Sequence, residues 1–241
     1  MIGYFANLAI PRIGEFIRAG VISKYDDINF ETSFGAIVLE RLVDVLMLLI
    51  AITLMVILGG PKIMDYLEAN SVITTQQIIY LAIFGVFALG IGFYIYKRLV
   101  KAQSQNKIVK FIQSKVAGFS EGINSIRTVE NKAMFWFYSI GIWVGYFLMT
   151  WLAFFAFTPT ANLGPVSGLV SFVFGGLGIV FPSPGGLGSY HFMVSQSLML
   201  YDVNPADAFS FAFILFFTIS IFCNVFFGLV SLIMLPLFNR K

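Results

Sequence analysis

The sequence predicts an all-α fold, a polytopic bundle of transmembrane helices that includes a broken, re-entrant-type helix pair. Hydrophobic residues fill 59% of the 241 positions and charged residues only 11%, and the mean hydropathy is +0.88. A soluble domain has about a quarter of its residues charged, so this much apolar surface is expected to face lipid. Prolines and glycines inside one apolar run predict the broken pair.

Four apolar stretches are long enough to cross a bilayer, which takes about 20 residues of helix. We place these spans at about 34–58, 77–97, 134–157 and 208–235, and we expect residues 1–241 to form a single membrane domain. The N-terminal 20 residues are not a signal peptide, because proline and charged residues interrupt their apolar run.

The broken pair is predicted at about 165–181 and 189–201, on either side of the sequence "PSPGGLGS". Each half is short for a full span. A half-helix that starts near Gly188, with Ser189 as its N-cap and His191 in its first turn, would point free N–H groups and a positive dipole end into the bundle, where they suit an anion. The alternative is a tight turn between two short spans, with no further role.

The segment 98–132 is predicted to be an amphipathic connector. Its apolar residues recur every three or four positions, with lysines on the other faces. Two interpretations are open, a solvated cytoplasmic connector or a helix that lies on anionic lipid.

The distribution of basic residues predicts the orientation of the chain in the membrane. Eight of the 15 Lys and Arg residues lie within 97–132, so the positive-inside rule places that region in the cytoplasm. The same orientation puts the N-terminal 32 residues and the C-terminus inside, and it leaves Lys62 as the one basic residue on the outer side.

Charged residues occur where an apolar segment should exclude them. Glu40, Arg41 and Asp44 lie in the first span, roughly 10 Å along the helix from Ser33, and a charge near the bilayer centre costs about 2.5–3.5 kcal/mol. The i,i+3 spacing lets Arg41 pair with Asp44. A second group precedes the span, at Arg12, Glu15 and Arg18.

These three arginines and three acids sum to zero charge, and two interpretations are open. The six residues neutralise one another in structural ion pairs, or they form a polar pocket in which arginine binds the phosphate of a zwitterionic or anionic headgroup.

Catalytic and metal-dependent classes are not expected. The chain has one cysteine, Cys223, and one histidine, which excludes a disulfide framework or a His/Cys zinc cluster within the chain. Neither a nucleophile–base pair nor a phosphate-binding loop is present. We therefore expect a protein that is not an enzyme, with no cofactor and no nucleic-acid partner, and His191 is by default a polar residue satisfied by a neighbour.

Three sequence pieces, "PRIGEFIR" (11–18), "ERLVD" (40–44) and "PGGLGSYH" (184–191), resemble signatures of the lysylphosphatidylglycerol synthetase/flippase transmembrane-domain family. This family includes the membrane half of the bacterial multiple peptide resistance factor. The resemblance runs from about residue 11 to about residue 235, and it implies a protein that moves or presents a polar lipid across the bacterial inner membrane.

Together, the charged residues, the resemblance and the half-helix define a predicted headgroup site: Arg12, Glu15, Arg18, Glu40, Arg41, Asp44, Gly185, Gly186, Gly188, Ser189 and His191. Two departures from the family stand out. Its members usually have Glu where this chain has His191, and they usually begin with further membrane helices. The chain also has no soluble aminoacyl-transferase domain, so the resemblance does not imply lipid lysylation.

The leading interpretation is a membrane lipid flippase or transporter in the bacterial inner membrane, with its C-terminus in the cytoplasm and an anionic or aminoacylated phospholipid as its ligand. The alternative is a non-transporting membrane partner that presents a lipid to a separate glycosyltransferase or lipid synthase, with 98–132 as its docking surface.

Overall fold

The computed structural model describes residues 1–9, 13–26, 28–70, 131–181 and 183–238, which form eight α-helices and no strand. The helices are α1 (Ile2–Ala9), α2 (Ile13–Tyr25), α3 (Phe30–Asn70), α4 (Lys132–Ala153), α5 (Pro165–Val180), α6 (Ser189–Met199), α7 (Pro205–Phe216) and α8 (Asn224–Phe238). The predicted all-α helical class is confirmed. The predicted second span, and all but the last two residues of the predicted connector, lie outside the described residues.

Three helical segments of the described chain are long and apolar enough to cross a membrane: Phe30–Gly60, Lys132–Ala156 and Pro205–Phe238. Local signals set their ends. The side chain of Asn131 accepts a hydrogen bond from the Met134 N–H at 3.0 Å and caps α4, and Asn204 caps α7, which has Pro205 in its first turn. The first segment of α3 ends at Gly60, where φ is +58°.

Helices α5 and α6 form an antiparallel hairpin. Near its open end the Ser197 hydroxyl donates to the Ser171 hydroxyl at 2.8 Å, and near its turn the Ser189 hydroxyl donates to the Gly178 carbonyl at 2.6 Å. At 1.5 Å per residue α5 is about 24 Å long and α6 about 16 Å, less than the roughly 30 Å of hydrocarbon. These lengths favour a re-entrant pair, which stays a prediction.

The turn of the hairpin depends on three glycines in the left-handed region, Gly185, Gly186 and Gly188, with φ of +60°, +84° and +84°. Only glycine adopts this conformation at little cost. The prediction that Ser189 is the N-cap of α6 is wrong: Gly188 is the N-cap and Ser189 is the first helical residue. The Ser189 hydroxyl binds the Gly178 carbonyl of the neighbouring helix instead, so it closes the hairpin.

The short N-terminal helix α1 contacts three other elements of the described chain. It packs against α2, against α8 and against the Pro184–Gly186 turn of the hairpin. The Asn7 side chain accepts a hydrogen bond from the Gly14 N–H at 2.7 Å, which ties α1 to α2, and Phe5 lies against Gly228 of α8. The N-terminal helix pair therefore meets the hairpin at its turn.

Helix α5 of the hairpin packs against α3. Leu48 of α3 lies next to Gly176 of α5, and beyond the bend at Gly60 the Tyr66 ring is 5.6 Å from the ring of Phe174. Residues on both sides of Gly60 therefore hold α3 against the hairpin.

Candidate functional site: a polar cluster between α1, α2, α3 and α4

An ion pair joins α2 to α3. Both terminal nitrogens of Arg18 bind the Glu40 carboxylate, Nη1 to Oε2 at 2.5 Å and Nη2 to Oε1 at 2.9 Å. The two residues are 22 positions apart, and the antiparallel packing of the helices brings them together. Phe16 of α2 stacks on Phe34 of α3 with 4.9 Å between ring centroids, which holds the helices at this distance.

A second ion pair lies one turn further along α3. Arg41 Nη2 is 3.0 Å from Asp44 Oδ2, the pairing that the i,i+3 spacing predicts. The other carboxylate oxygen of Asp44 accepts a hydrogen bond from the indole N–H of Trp143, with Nε1 and Oδ1 3.3 Å apart. Asp44 is thus held from two sides, by a charge on its own helix and by a neutral donor on α4.

Two tyrosines complete the group. The Tyr146 hydroxyl interacts with that of Tyr4 and lies near Arg41 and Asp44, and Tyr4 in turn lies near Arg18. We refer to these residues as the polar cluster: Tyr4, Arg18, Glu40, Arg41, Asp44, Trp143 and Tyr146. The sequence-based site did not include Tyr4, Trp143 or Tyr146. The i,i+3 spacing of Trp143 and Tyr146 places both on one face of α4, but this spacing alone does not select them among the many aromatic residues of that helix.

The charged side chains of the cluster lie on or beside the middle of the first segment of α3, and the described part of the chain does not enclose them. Glu40 and Asp44 lie about 15 Å and 21 Å from Phe30 along the helix axis, well within a hydrocarbon core of about 30 Å. Yet the side chains of the four paired residues are between 39% and 47% exposed. Because bare charge is costly against lipid tails, polar surroundings suit this exposed surface better than lipid tails.

The remaining predicted site residues lie elsewhere or outside the description. Arg12 is outside the described residues. Glu15 is in the first turn of α2 and makes no ion pair with any described residue. The hairpin glycines and Ser189 form the turn itself, and no hydrogen bond joins the described residues of that turn to the charges on α3. Helix α1 is the link, because it contacts the turn and also supplies Tyr4.

His191 is packed in an aromatic pocket. Its ring centroid lies 4.7 Å from that of Phe216 and near those of Phe209 and Phe213, and the residue is only 5% exposed. The Gly188 N–H donates to Nδ1 at 3.3 Å, while Nε2 has no hydrogen-bond partner among the described residues. Its role in headgroup binding stays a prediction, and the geometry fits a residue that fixes the hairpin turn.

No group of three or more His, Cys, Asp or Glu residues in the described ranges converges as a metal site would. What the cluster offers chemically is different. It has guanidinium, indole and phenol donors beside two carboxylates, a set that matches an anionic or zwitterionic group.

Comparison with known proteins gives one result. The sequence pattern of the family described as "Lysylphosphatidylglycerol synthase TM region" matches residues 1–228, which include every residue of the polar cluster and the whole hairpin. No curated protein matches the chain, and no solved structure does. The resemblance seen in the three sequence signatures is confirmed, and the chain belongs to the lysylphosphatidylglycerol synthase transmembrane-region family of membrane proteins.

Proposed function

We propose that this protein is a lipid flippase or transporter of the bacterial inner membrane that takes a polar phospholipid headgroup into the polar cluster. The observation that carries the proposal is the pair of half-exposed ion pairs, Arg18–Glu40 and Arg41–Asp44, deep within a membrane span. Charged groups within a span need polar surroundings, and these pairs keep open surface that a headgroup can fill.

The two arginines differ in how many of their N–H donors remain without a partner. Arg18 uses both terminal nitrogens on Glu40, so its planar fork is occupied. Arg41 approaches Asp44 most closely through Nη2, 3.0 Å from Oδ2, and its Nη1 and Nε atoms have no hydrogen-bond partner among the described residues. Because a guanidinium binds phosphate best with two parallel N–H donors, Arg41 is the proposed phosphate ligand, and Arg18–Glu40 is the pair that holds α2 against α3.

Family membership supports a lipid-handling role over an enzymatic one. The matched region is a membrane region, and the polar cluster lacks an arrangement of a nucleophile with a base. We propose that the chain binds and moves a lipid and does not transform it.

Arg41→Ala is expected to reduce lipid movement at least tenfold, because a charge-assisted bidentate contact contributes about 1.5–3 kcal/mol. The measurement is translocation of a fluorescently labelled anionic phospholipid in liposomes that contain the purified full-length protein. Lys62→Ala is the matched control, since Lys62 lies on the same helix and pairs with Asp202 at 3.7 Å but is outside the polar cluster. Equal rates for the two variants would remove the basis of the proposed pocket.

Binding of the labelled lipid without movement, by a wild-type protein that is otherwise stable, would instead favour the alternative role. In that role the chain presents a lipid to a separate glycosyltransferase or lipid synthase.

The proposed orientation has its own test. A reporter fused after Lys241 is expected to read cytoplasmic, because the basic residues of 97–132 and of the C-terminus then share one side of the membrane. A paired fusion of an alkaline phosphatase and a fluorescent protein distinguishes the two sides. Phosphatase activity at the C-terminus would reverse the orientation of every span.

A further inference from the structure

Trp143 is in an unusual place for a membrane tryptophan. Tryptophans usually lie in the interfacial belts at the two ends of a span, and Trp136 and Trp151 follow this rule near either end of α4. Trp143 is instead about 16 Å along the helix from Lys132, near the middle of the span. An indole N–H at that depth needs a partner, and it has Asp44.

The contacts around Trp143 fix both its ring and its partner. The ring meets Phe172 of α5 edge to face, with 5.7 Å between centroids and an interplanar angle of 78°. Its N–H occupies Oδ1 of Asp44 while Arg41 occupies Oδ2. Because the indole is neutral, it restrains the Asp44 carboxylate without replacing Arg41 as the partner of its negative charge. The carboxylate therefore keeps Arg41 in one orientation, with its remaining donors open.

Tyr146 lies one turn further along the same face of α4 and is exposed. Its hydroxyl interacts with that of Tyr4, and the charges of Arg41 and Asp44 both act on it. A phenol in this place can donate to an oxygen of a group bound by Arg41, and the Tyr4 hydroxyl supports its orientation.

We infer that α4 forms the second wall of the headgroup site, in which Trp143 is a positioning residue that orients Arg41 through Asp44 and Tyr146 contacts the bound headgroup. This inference rests on the proposed function, because it assigns roles at the same site. It extends the site to a helix that none of the three sequence signatures includes.

The first test measures binding with the full chain in detergent and dihexanoyl phosphatidylglycerol as a soluble anionic probe. Trp143→Phe keeps an aromatic ring at this position while it removes the indole N–H together with the five-membered ring that carries it, and it is expected to weaken binding about tenfold. Trp136→Phe is its control on the same helix, because Trp136 makes no hydrogen bond within the described chain. Tyr146→Phe is also expected to weaken binding, whereas Tyr138→Phe, on the exposed surface of α4, is not.

The second test leaves Trp143 in place and reads its fluorescence directly. In a chain with Trp136 and Trp151 replaced by phenylalanine, addition of the probe lipid is expected to shift the Trp143 emission, and Asp44→Asn is expected to abolish that shift. A residue that only packs against Phe172 would show neither effect. This measurement keeps the inference falsifiable even where Trp143→Phe fails to fold.

The outcomes separate the inference from the function it rests on. The inference would be overturned if Trp143→Phe bound the probe as the wild type does and the Trp143 emission stayed constant on addition of the probe. If the wild-type protein still moved lipid, the proposed function would stand. A wild-type protein that neither binds nor moves the probe would overturn the function itself. Equal affinity for sn-glycerol 3-phosphate, which lacks acyl chains, would show that the site takes a soluble phosphate and would contradict a lipid ligand.

Discussion

Arg18→Ala is expected to destabilise the folded protein by about 2 kcal/mol and to abolish most lipid movement. The change leaves the Glu40 carboxylate without a partner at a depth where an isolated charge costs about 2.5–3.5 kcal/mol, reduced here because the side chain is half-exposed. It also removes the bidentate link between α2 and α3. Thermal unfolding in detergent and lipid movement in liposomes measure the two effects.

The reciprocal and control variants make this prediction specific. Glu40→Gln is expected to destabilise by a similar amount, because it leaves the guanidinium unpaired. The double replacement of Arg18 and Glu40 by methionine is expected to recover most of the stability, since it removes both charges together, but not the lipid movement. Lys24→Ala changes a cation in the last turn of the same helix and is expected to alter neither. A Tm for Arg18→Ala equal to that of Lys24→Ala would contradict the prediction.

Charge was the feature of this site that the sequence could reveal. Charged residues inside an apolar run are conspicuous because each one is costly in lipid, so Arg18, Glu40, Arg41 and Asp44 could be selected without a structure. The i,i+3 pairing of Arg41 with Asp44 is also local. The pairing of Arg18 with Glu40 could not be predicted as such, because it depends on how α2 folds back along α3.

The aromatic residues of the polar cluster could not be found in the same way. Aromatic side chains make up 17% of the chain, and many of those in the described ranges are exposed, so Trp143 and Tyr146 do not stand out from their neighbours. Their role depends on the rotation of α4 that turns them towards Asp44. Tyr4 could not be predicted for another reason. Helix α1 is too short to span a membrane, and its place in the fold depends on its contacts with α2, α8 and the hairpin turn.

The last span shows a similar limit. The sequence predicts a span at about 208–235, and within it the structure has a π-helix, Phe217–Cys223, between α7 and α8. Phe216, just before it, packs on the hairpin residues Tyr190 and His191, and Gly228, just after it, packs on Phe5 of α1. A π-helix alters the angle between successive contact faces, so the span can meet two separate partners. No single residue encodes that requirement.

The hairpin turn could be predicted because proline and glycine indicate a break in the helix. The close approach of the two helices could not be predicted from the sequence. A Cβ atom at Gly178 would meet Cα of Tyr190 at 2.8 Å and the carbonyl oxygen of Ser189 at 2.9 Å. Both are backbone atoms, and the 2.6 Å hydrogen bond from Ser189 to the Gly178 carbonyl holds them in place. Gly178→Ala is therefore expected to lower the free energy of unfolding by about 1–3 kcal/mol, the usual range for overpacking.

Gly176, two residues earlier on α5, gives the matched control. A Cβ atom there would meet only the flexible Cδ1 of Leu48, at 3.6 Å, which is ordinary contact, and alanine is the better helix former by roughly 1 kcal/mol. Gly176→Ala is thus expected to leave the Tm in detergent unchanged or slightly higher, while Gly178→Ala lowers it. Because the same substitution on one helix has opposite expected signs, its intrinsic helix propensity cannot account for the difference. Equal shifts at the two positions would mean that α5 and α6 do not pack at Gly178 as the structure has them.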